Sequence, residues 1–168
     1  EGITSQNIEE FVKGCDLIVE ECDDFAIKFQ LRLVAKKYKV PLVMGTSQNG
    51  MIDIERYDID PDCKPFHLED FPSNLDGQLS HERKKELLSK MFEPDQFSPR
   101  MLQALPKVGK SIPSWPQLAE EVTLNAATLA HAARRILLGD DKVISGRFGI
   151  RLDELFQPHN RLYPSAKM

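Results

Sequence analysis

Four carboxylates lie within five residues at the point where a short apolar segment ends. The segment and the acidic residues after it read Leu17-Ile18-Val19-Glu20-Glu21-Cys22-Asp23-Asp24. Negative charges at this spacing repel one another unless some of them turn to solvent or a cation lies among them. Carboxylate oxygens, together with substrate phosphates, are the ligands that Mg²⁺ prefers. The cluster therefore predicts either a magnesium–phosphate site or an acidic strand end in which one Asp caps a helix.

The elements around this cluster predict a βαβ unit. Residues 17–19 and 40–44 are short apolar runs of the kind found in parallel strands that are covered on both faces. Residues 25–38, between them, have the spacing of a helix. Ligands in open α/β sheets bind beyond the carboxyl ends of the strands, near helix N-termini. The pattern thus predicts that the carboxylates lie where such folds bind ligands.

A stripe of basic residues follows along the predicted helix. Lys28, Arg32 and Lys36 recur at positions i, i+4 and i+8, which places them on one side of the helix. We interpret the stripe as a solvated face. Lys28 is the exception, because it lies one turn from the helix N-terminus and its ammonium can reach an anionic group there.

The rest of the chain predicts an antiparallel extension and a second long helix. Residues 51–57 and 146–152 alternate in the manner of strands and are expected to pair, the first of them half-buried. Most of the prolines fall in residues 58–115, which predicts an irregular segment with short helices at 81–92 and 98–105. Residues 114–139 predict the strongest helix, and its many alanines allow close approach of a sheet or of a second copy.

Composition limits the classes of partner. The chain of 168 residues has 22 basic and 26 acidic residues, a formal net charge of −4, so no cationic surface for nucleic acid is expected. No apolar run is long enough to span a bilayer, and no membrane partner is predicted. Cys15, Cys22 and Cys63 form no C-x-x-C pair, so neither a disulfide framework nor a zinc site is expected. A reducing, cytoplasmic location fits best.

Several segments carry a resemblance to a known family. These are Gly2-Ile3-Thr4 with Asn7-Ile8, Asp16-Leu17-Ile18-Val19, Asp23-Asp24-Phe25-Ala26-Ile27-Lys28, and Val40-Pro41-Leu42-Val43 with Gly45 and Gly50. They resemble the ThiF/MoeB/HesA adenylyltransferases, relatives of the ubiquitin-activating enzymes. The resemblance is dense over residues 1–58 and thinner over residues 115–156.

The resemblance implies roles for individual residues. In the family an Asp after the strand contacts Mg-ATP, and Asp23 matches it as the expected catalytic and magnesium-binding residue. Asp24 stands where the family usually has Asn, and Lys28 stands where it usually has Arg. Asp24 would share in nucleotide binding, and Lys28 would approach a phosphate.

Two further regions take expected roles from the same resemblance. Residues Ile3 and Thr4 match the segment that lies near the adenine. In relatives a loop cysteine accepts the activated carrier or its sulfur, and Cys63 is the candidate for this thiol. Asp62 and Lys64 flank it, one raising and one lowering the acidity of the thiol.

The family's glycine-rich turn, ribose-binding acid, and phosphate-binding Arg and Lys would lie upstream of residue 1. We therefore expect residues 1–156 to be the C-terminal half of an adenylation domain, with an insertion at 58–115 and a tail or linker at 157–168. The expected fold is α/β, a partial Rossmann-like three-layer domain with two parallel strands, antiparallel strands and flanking helices. This segment alone is expected to be inactive.

The expected function is that of a part of an ATP-dependent adenylyltransferase. With ATP and Mg²⁺ it would activate the C-terminal carboxylate of a ubiquitin-like or sulfur-carrier protein, and a homodimer is an expected assembly. One alternative is a non-catalytic interaction or dimerisation domain of the same fold. A nicotinamide or flavin oxidoreductase shares the layout, but residues 1–168 contain no G-x-G-x-x-G fingerprint.

Overall fold

The described residues form an open sheet of four strands with helices on both faces. The computed structural model describes residues 2–46, 50–72, 80–91, 97, 99–114 and 116–160. In chain order the helices and strands are α1 (Ile8–Val12), β1 (Ile18–Glu20), α2 (Phe25–Tyr38), β2 (Leu42–Gly45), β3 (Ile52–Glu55), α3 (His81–Met91), α4 (Pro99–Ala104), α5 (Ala119–Leu137), β4 (Gly146–Phe148) and α6 (Leu152–Leu155). Short 3-10 turns occupy Pro65–His67, Leu105–Lys107 and Pro158–Asn160.

The strands follow one another in the sheet in the order β1-β2-β3-β4. The β1 and β2 strands are parallel, with Ile18 opposite Leu42. The β2–β3 and β3–β4 pairs are antiparallel, and Asp53 lies opposite Arg147 in the second of them. The predicted α/β class, with one parallel pair and an antiparallel extension, is confirmed.

Two apolar cores lie on opposite faces of the sheet. On one face, Leu42 and Met44 of β2 pack with Phe29 and Ala35 of α2, and Val12 of α1 joins this core. On the other face, Val43 of β2 packs with residues of α5 and β3: Ile52, Ile54, Leu129, Ala132 and Ile136. Because successive side chains of a strand point to opposite faces, β2 has apolar neighbours in both layers. Sheet and helices thus form the three layers expected.

The α2 helix begins and ends at well-defined caps. The carboxylate of Asp24 accepts hydrogen bonds from Ala26 N at 2.7 Å and Ile27 N at 3.2 Å, as an N-cap should. At the other end, Lys39 adopts a left-handed conformation with φ 55° and ψ 36° and closes the helix. These caps fix where β1 stops and where β2 starts.

Three expectations about elements were wrong. The strand predicted over residues 146–152 ends at Phe148, and Leu152 begins α6. All four residues of β3 are buried, not half of them, because a polar network covers the face that carries Asp53 and Glu55. The long helix begins at Ala119 rather than at residue 114, and Leu118 before it is extended. Proline disfavours a helical conformation of the residue before it, so Pro116 opposes a helix that runs in from residue 114.

The irregular segment contains helices near the predicted positions. The α3 helix spans His81–Met91 and α4 spans Pro99–Ala104; Phe92 and Ser98, which the prediction included, lie outside the described residues. Residues 47–49, which follow β2, and residues 161–168 of the predicted tail also lie outside the described residues. Within the described ranges, every helix is too short or too polar to cross a membrane.

The packing of α5 on the sheet depends on Gly45 at the end of β2. A Cβ atom added there would lie 1.9 Å from Oδ1 of Asn125, far inside van der Waals contact. Asn125 is buried on α5, so the side chain has little room to move away. Glycine therefore lets the helix approach the strand end closely.

We predict that Gly45→Ala lowers the free energy of unfolding by about 1–3 kcal/mol, because the methyl group overpacks the α5 interface. Chemical denaturation would measure the loss. In an Asn125→Ala background the same substitution should cost much less, since the clashing amide is gone. Gly2→Ala is the control, because no atom lies within 4 Å of that position. Equal costs in the two backgrounds would show that this contact is not the cause.

Candidate functional site

The acidic cluster at the end of β1 divides into buried and exposed carboxylates. Glu20 is buried, whereas Glu21, Asp23 and Asp24 are exposed. Cys22 N donates to Oε1 of Glu20 at 2.6 Å, which folds the strand end back on its own carboxylate. The repulsion among the four carboxylates is thus relieved in two ways. Glu20 turns to buried cations, and the other three carboxylates are exposed to solvent.

The predicted nucleotide-binding residues have different surroundings. Asp24 is engaged as the cap of α2, whereas Asp23, just before it, is exposed beside the helix N-terminus. Thr4 is exposed, and both its N and its Oγ1 contact Oδ1 of Asn7, at 2.6 Å and 3.1 Å. Ile3 packs against the core on the α2 face. Of these four residues, Asp23 and Asp24 lie together at the strand end.

Lys28 points into the protein. Its Nζ lies 2.8 Å from Oε1 and 2.9 Å from Oε2 of Glu20, and 3.4 Å from Sδ of Met44. The interpretation of the rest of the basic stripe as a solvated face was wrong, because Arg32 is buried and Lys36 Nζ donates to the carbonyl of Cys63 at 2.7 Å. The stripe faces the carboxylates of the sheet.

Arg32 is the centre of this buried charge network. Its Nη1 donates to Oε2 of Glu20 at 2.8 Å, and its Nε lies 3.1 Å from Oε2 of Glu55. Its guanidinium also lies over the ring of Phe66, 3.5 Å from the ring centroid. Burial opposes ionisation of Glu20, but the charges of Arg32 and Lys28 hold the pKa of Glu20 below its usual value. A single cation thus links β1, α2, β3 and the turn after β3.

A second ion pair lies on the same face of the sheet. Nε of Arg147 in β4 is 2.7 Å from Oδ1 of Asp53, and its Nη2 is 2.8 Å from Oδ2. His67 Nε2 is 3.9 Å from the same Asp53 carboxylate. Burial lowers the pKa of His67, against the opposite influence of Asp53. The sequence signal for the whole network is that Asp53 and Glu55 share one face of β3 while Arg32 sits on the covering helix.

The turn that covers Arg32 has unusual backbone geometry. Phe66 has φ 53° and His67 has φ 58°, and left-handed conformations are uncommon for residues other than glycine. Phe66 N donates to Oε1 of Glu55, and its ring stacks on Arg32. The network therefore holds the turn in place and offsets the strain.

Cys63 lies apart from the acidic cluster. It is 7% exposed, and Lys36, which binds its carbonyl, is about 12 Å along α2 from Lys28 at the usual helical rise. Burial raises the pKa of its thiol to about 11. The flanking Asp62 and Lys64 therefore do not decide its acidity, and the side chain has the character of a core residue. Its role as an acceptor thiol stays a prediction.

Among the described residues, no group of three or more His, Cys, Asp or Glu side chains is arranged to hold a metal ion. The donor set at the strand end is instead one free carboxylate, Asp23. Magnesium bound with a nucleotide commonly takes one or two protein carboxylates, and phosphates and waters complete its shell. The single carboxylate of Asp23 is therefore compatible with a magnesium ion that is bound together with a nucleotide.

We predict that Glu55 makes stability fall as pH rises. Burial raises its pKa to about 7 from 4.5, against the lowering effect of Arg32. Stability from the protonated form is present below pH 4.5 and is lost as pH rises to about 7, a change of about 3 kcal/mol. Glu55→Gln keeps the acceptor for Phe66 N and removes the titration. Relative to wild type, the variant should gain about this much stability between these pH values, measured by urea unfolding.

The control for this prediction is Glu10→Gln, which removes an exposed carboxylate of α1. As a substitution at an exposed position, it should change the free energy of unfolding by about 0.5 kcal/mol or less. A Glu55→Gln variant whose stability ran parallel to that of the wild type across the range would contradict the assignment.

We predict that Cys63 is alkylated by iodoacetamide at pH 8 at least about 100-fold more slowly than Cys15. The thiolate is the reacting form and a pKa of about 11 makes it rare, whereas Cys15 is exposed. Peptide mass spectrometry at timed intervals would measure both rates. In denaturant the two rates should converge. Faster labelling of Cys63 in the folded chain would contradict the buried assignment and favour an acceptor thiol.

Comparison with known proteins finds one similar protein and does not assign the chain to a family. The chain is 36% identical over 163 residues to a protein of Mycobacterium tuberculosis (strain CDC 1551 / Oshkosh) described as "Uncharacterized protein MT1398". The match covers 94% of the chain but 23% of that relative, so the chain spans about a quarter of its length. No protein-family model matches, and no solved structure gives a significant match.

Proposed function

We propose that this chain is part of an ATP-dependent adenylyltransferase that activates the C-terminal carboxylate of a small ubiquitin-like or sulfur-carrier protein in the cytoplasm. The proposal joins the resemblance to ThiF-type enzymes with the geometry of one residue. Asp23 is an exposed carboxylate at the carboxyl end of a parallel strand and beside a helix N-terminus. Ligands in open α/β sheets bind at such positions.

The proposal rests on the different surroundings of two neighbouring aspartates, Asp23 and Asp24. Asp24 accepts the hydrogen bonds from Ala26 N and Ile27 N, so the helix is capped without Asp23. Burial of Glu20 against Lys28 and Arg32 fixes the strand end from which Asp23 projects. A carboxylate that is exposed, held on a rigid base and not needed for capping suits a ligand to Mg-ATP.

In the proposed reaction the carboxylate of the carrier protein attacks the α-phosphorus of ATP. A bond forms between the carboxylate oxygen and this phosphorus, and the bond to the bridging oxygen breaks, so that pyrophosphate leaves with the electron pair. Asp23 would hold Mg²⁺, which when bound neutralises negative charge on the phosphates. The chain would act by positioning and electrostatics. Asp23 would orient the nucleotide, and the buried network would keep the end of β1, from which Asp23 projects, in place.

A second candidate is a non-catalytic interaction or dimerisation domain of the same fold. The contacts of Lys28 favour it, because its ammonium binds both carboxylate oxygens of Glu20 and is buried. A phosphate could reach that ammonium only after the ion pair opened. In this case the chain would keep its architecture, and Asp23 would have no nucleotide to bind.

We predict that Asp23→Asn in the complete gene product lowers carrier-dependent ATP–pyrophosphate exchange on the order of 100-fold. Glu10→Gln is the control, because it removes an exposed carboxylate of α1 that has no part in the proposed site. It should retain activity within a few fold. Calorimetric titration with Mg-ATP would measure binding beside the exchange assay.

Two outcomes would contradict the proposal. Unchanged exchange in Asp23→Asn would remove this residue from the site. Absence of Mg-ATP binding to the complete wild-type gene product would favour the non-catalytic alternative. Residues 1–168 alone are expected to show no exchange, and turnover by them would contradict the view that the upstream half is needed.

A further inference from the structure

The Pro65–His67 turn is a strained segment that lies over buried charges. Residues other than glycine keep the left-handed backbone of Phe66 and His67 only where surrounding contacts enforce it. Phe66 supplies these contacts. Its N donates to the carboxylate of Glu55, and its ring lies over Arg32. The same ring packs edge-on against Phe29, with 5.5 Å between the ring centroids. The turn therefore stays closed only while these contacts outweigh the strain.

The ring of His67 is the poorly satisfied part of this turn. Its Nε2 is buried and has no hydrogen-bond partner among the residues that the structure describes. Oδ1 of Asp53 is 3.9 Å away, which is too far for a hydrogen bond. Both oxygens of Asp53 are already bound by Arg147. The His67 side chain is 26% exposed, so the ring has a way out to water.

The charged groups around this ring come from three elements. Asp53 and Glu55 lie on one face of β3, Arg147 is in β4 and Arg32 is in α2. A proton on His67 would add a third cation beside the two guanidinium groups, while the carboxylate of Asp53 is already shared with Arg147. Burial, followed by the charges of Arg147 and Arg32, lowers the pKa of His67 against the attraction of Asp53.

We propose that the Pro65–His67 turn is an acid-sensitive latch, which lifts from β3 when His67 takes up a proton while the sheet stays folded. Lifting hydrates the new charge, because the ring leaves the surroundings of Arg147 and Arg32. It also releases the left-handed backbone of the turn. The latch belongs to the fold itself, so it holds or fails independently of nucleotide chemistry.

Proton linkage gives the direction of the effect. A histidine in solvent has a pKa of about 6.5, and the pKa of His67 in the closed turn is lower. The closed turn therefore binds the proton more weakly than the open turn. The stabilisation that neutral His67 gives to the closed turn is complete above about pH 6.5, and it is lost as pH falls toward the pKa of the closed form.

Glu55 titrates beneath the same turn with the opposite sign. Burial raises its pKa to about 7, and opening of the turn would hydrate its carboxylate and lower that pKa. Glu55 by itself thus favours the closed turn at low pH. Because the two groups oppose each other, the response of His67 is measured in a Glu55→Gln background, in which the acceptor for Phe66 N remains.

Amide hydrogen exchange of Phe66 in the complete gene product tests the latch, since this N–H ties the turn to β3. In the Glu55→Gln variant its protection, corrected for the intrinsic pH dependence of exchange, should fall about 3-fold or more between pH 7.5 and pH 5.5. The amide of Val43, in the strand between β1 and β3, is the internal control. Its protection should stay constant, because the sheet does not open.

Two substitutions identify the titrating group. His67→Asn cannot take up the proton, and asparagine tolerates a left-handed backbone, so Phe66 protection in the Glu55→Gln background should become independent of pH. His131→Gln removes an exposed histidine of α5 and should leave the response intact. Should the Glu55→Gln background not fold, the difference between wild type and His67→Asn gives the same quantity, because Glu55 titrates in both.

Three results would overturn the proposal. Protection of Phe66 that is equal at the two pH values in Glu55→Gln would show that the turn does not respond to acid. A response that survives His67→Asn would assign it to another group. A parallel loss of protection at Val43 would mean that the whole domain unfolds rather than the turn.

Discussion

The buried guanidinium of Arg32 is the interaction on which this structure depends. It has no solvent exposure, and it contacts carboxylates of β1 and β3 and the ring of Phe66. Removing one partner of such a network leaves an uncompensated charge in the interior, which is far more costly than the net gain from the ion pair. Arg32 therefore sets the spacing of two strands that are not neighbours in the sheet, and it holds the strained turn at Phe66 and His67.

This network also explains why the acidic strand end has two chemical characters. The carboxylate of Glu20 binds Lys28 and Arg32, and its contribution is to fix the backbone at the end of β1. Glu21 accepts a hydrogen bond from Gly45 N at 3.1 Å, and the partial desolvation of its carboxylate there raises its pKa. Asp23 remains exposed. Because Asp24 caps α2, four similar residues have four different surroundings, and Asp23 is the one that we propose as a ligand to Mg-ATP.

The sequence predicted the parallel pair and the antiparallel extension, because apolar runs and alternation are local properties. It offered capping by one Asp of the cluster as one of two interpretations but did not identify Asp24 as the cap. It did not predict that Lys28 and Arg32 turn inward. Helical periodicity places both on one stripe, but whether the stripe faces solvent depends on Glu20 and Glu55 in strands that meet it only in the fold. The beginning of α5 was predicted too early because proline is also common in the first turn of a helix, so Pro116 was compatible with a start near residue 114. Asp23 was identified through resemblance, since residue types alone did not separate it from its acidic neighbours.

The pairing of β3 with β4 joins residues far apart in sequence, as between Asp53 and Arg147, 94 positions apart. The unit from β1 to β3 closes over short connections, whereas β4 can add only after a long loop has closed. Because the entropy of loop closure grows slowly with length, the intervening segment can change in length with little effect on final stability. Such distant pairing does slow folding. We therefore expect assembly to begin with the consecutive strands β1 to β3, and the late arrival of β4 leaves β3 briefly open to mispairing with other chains.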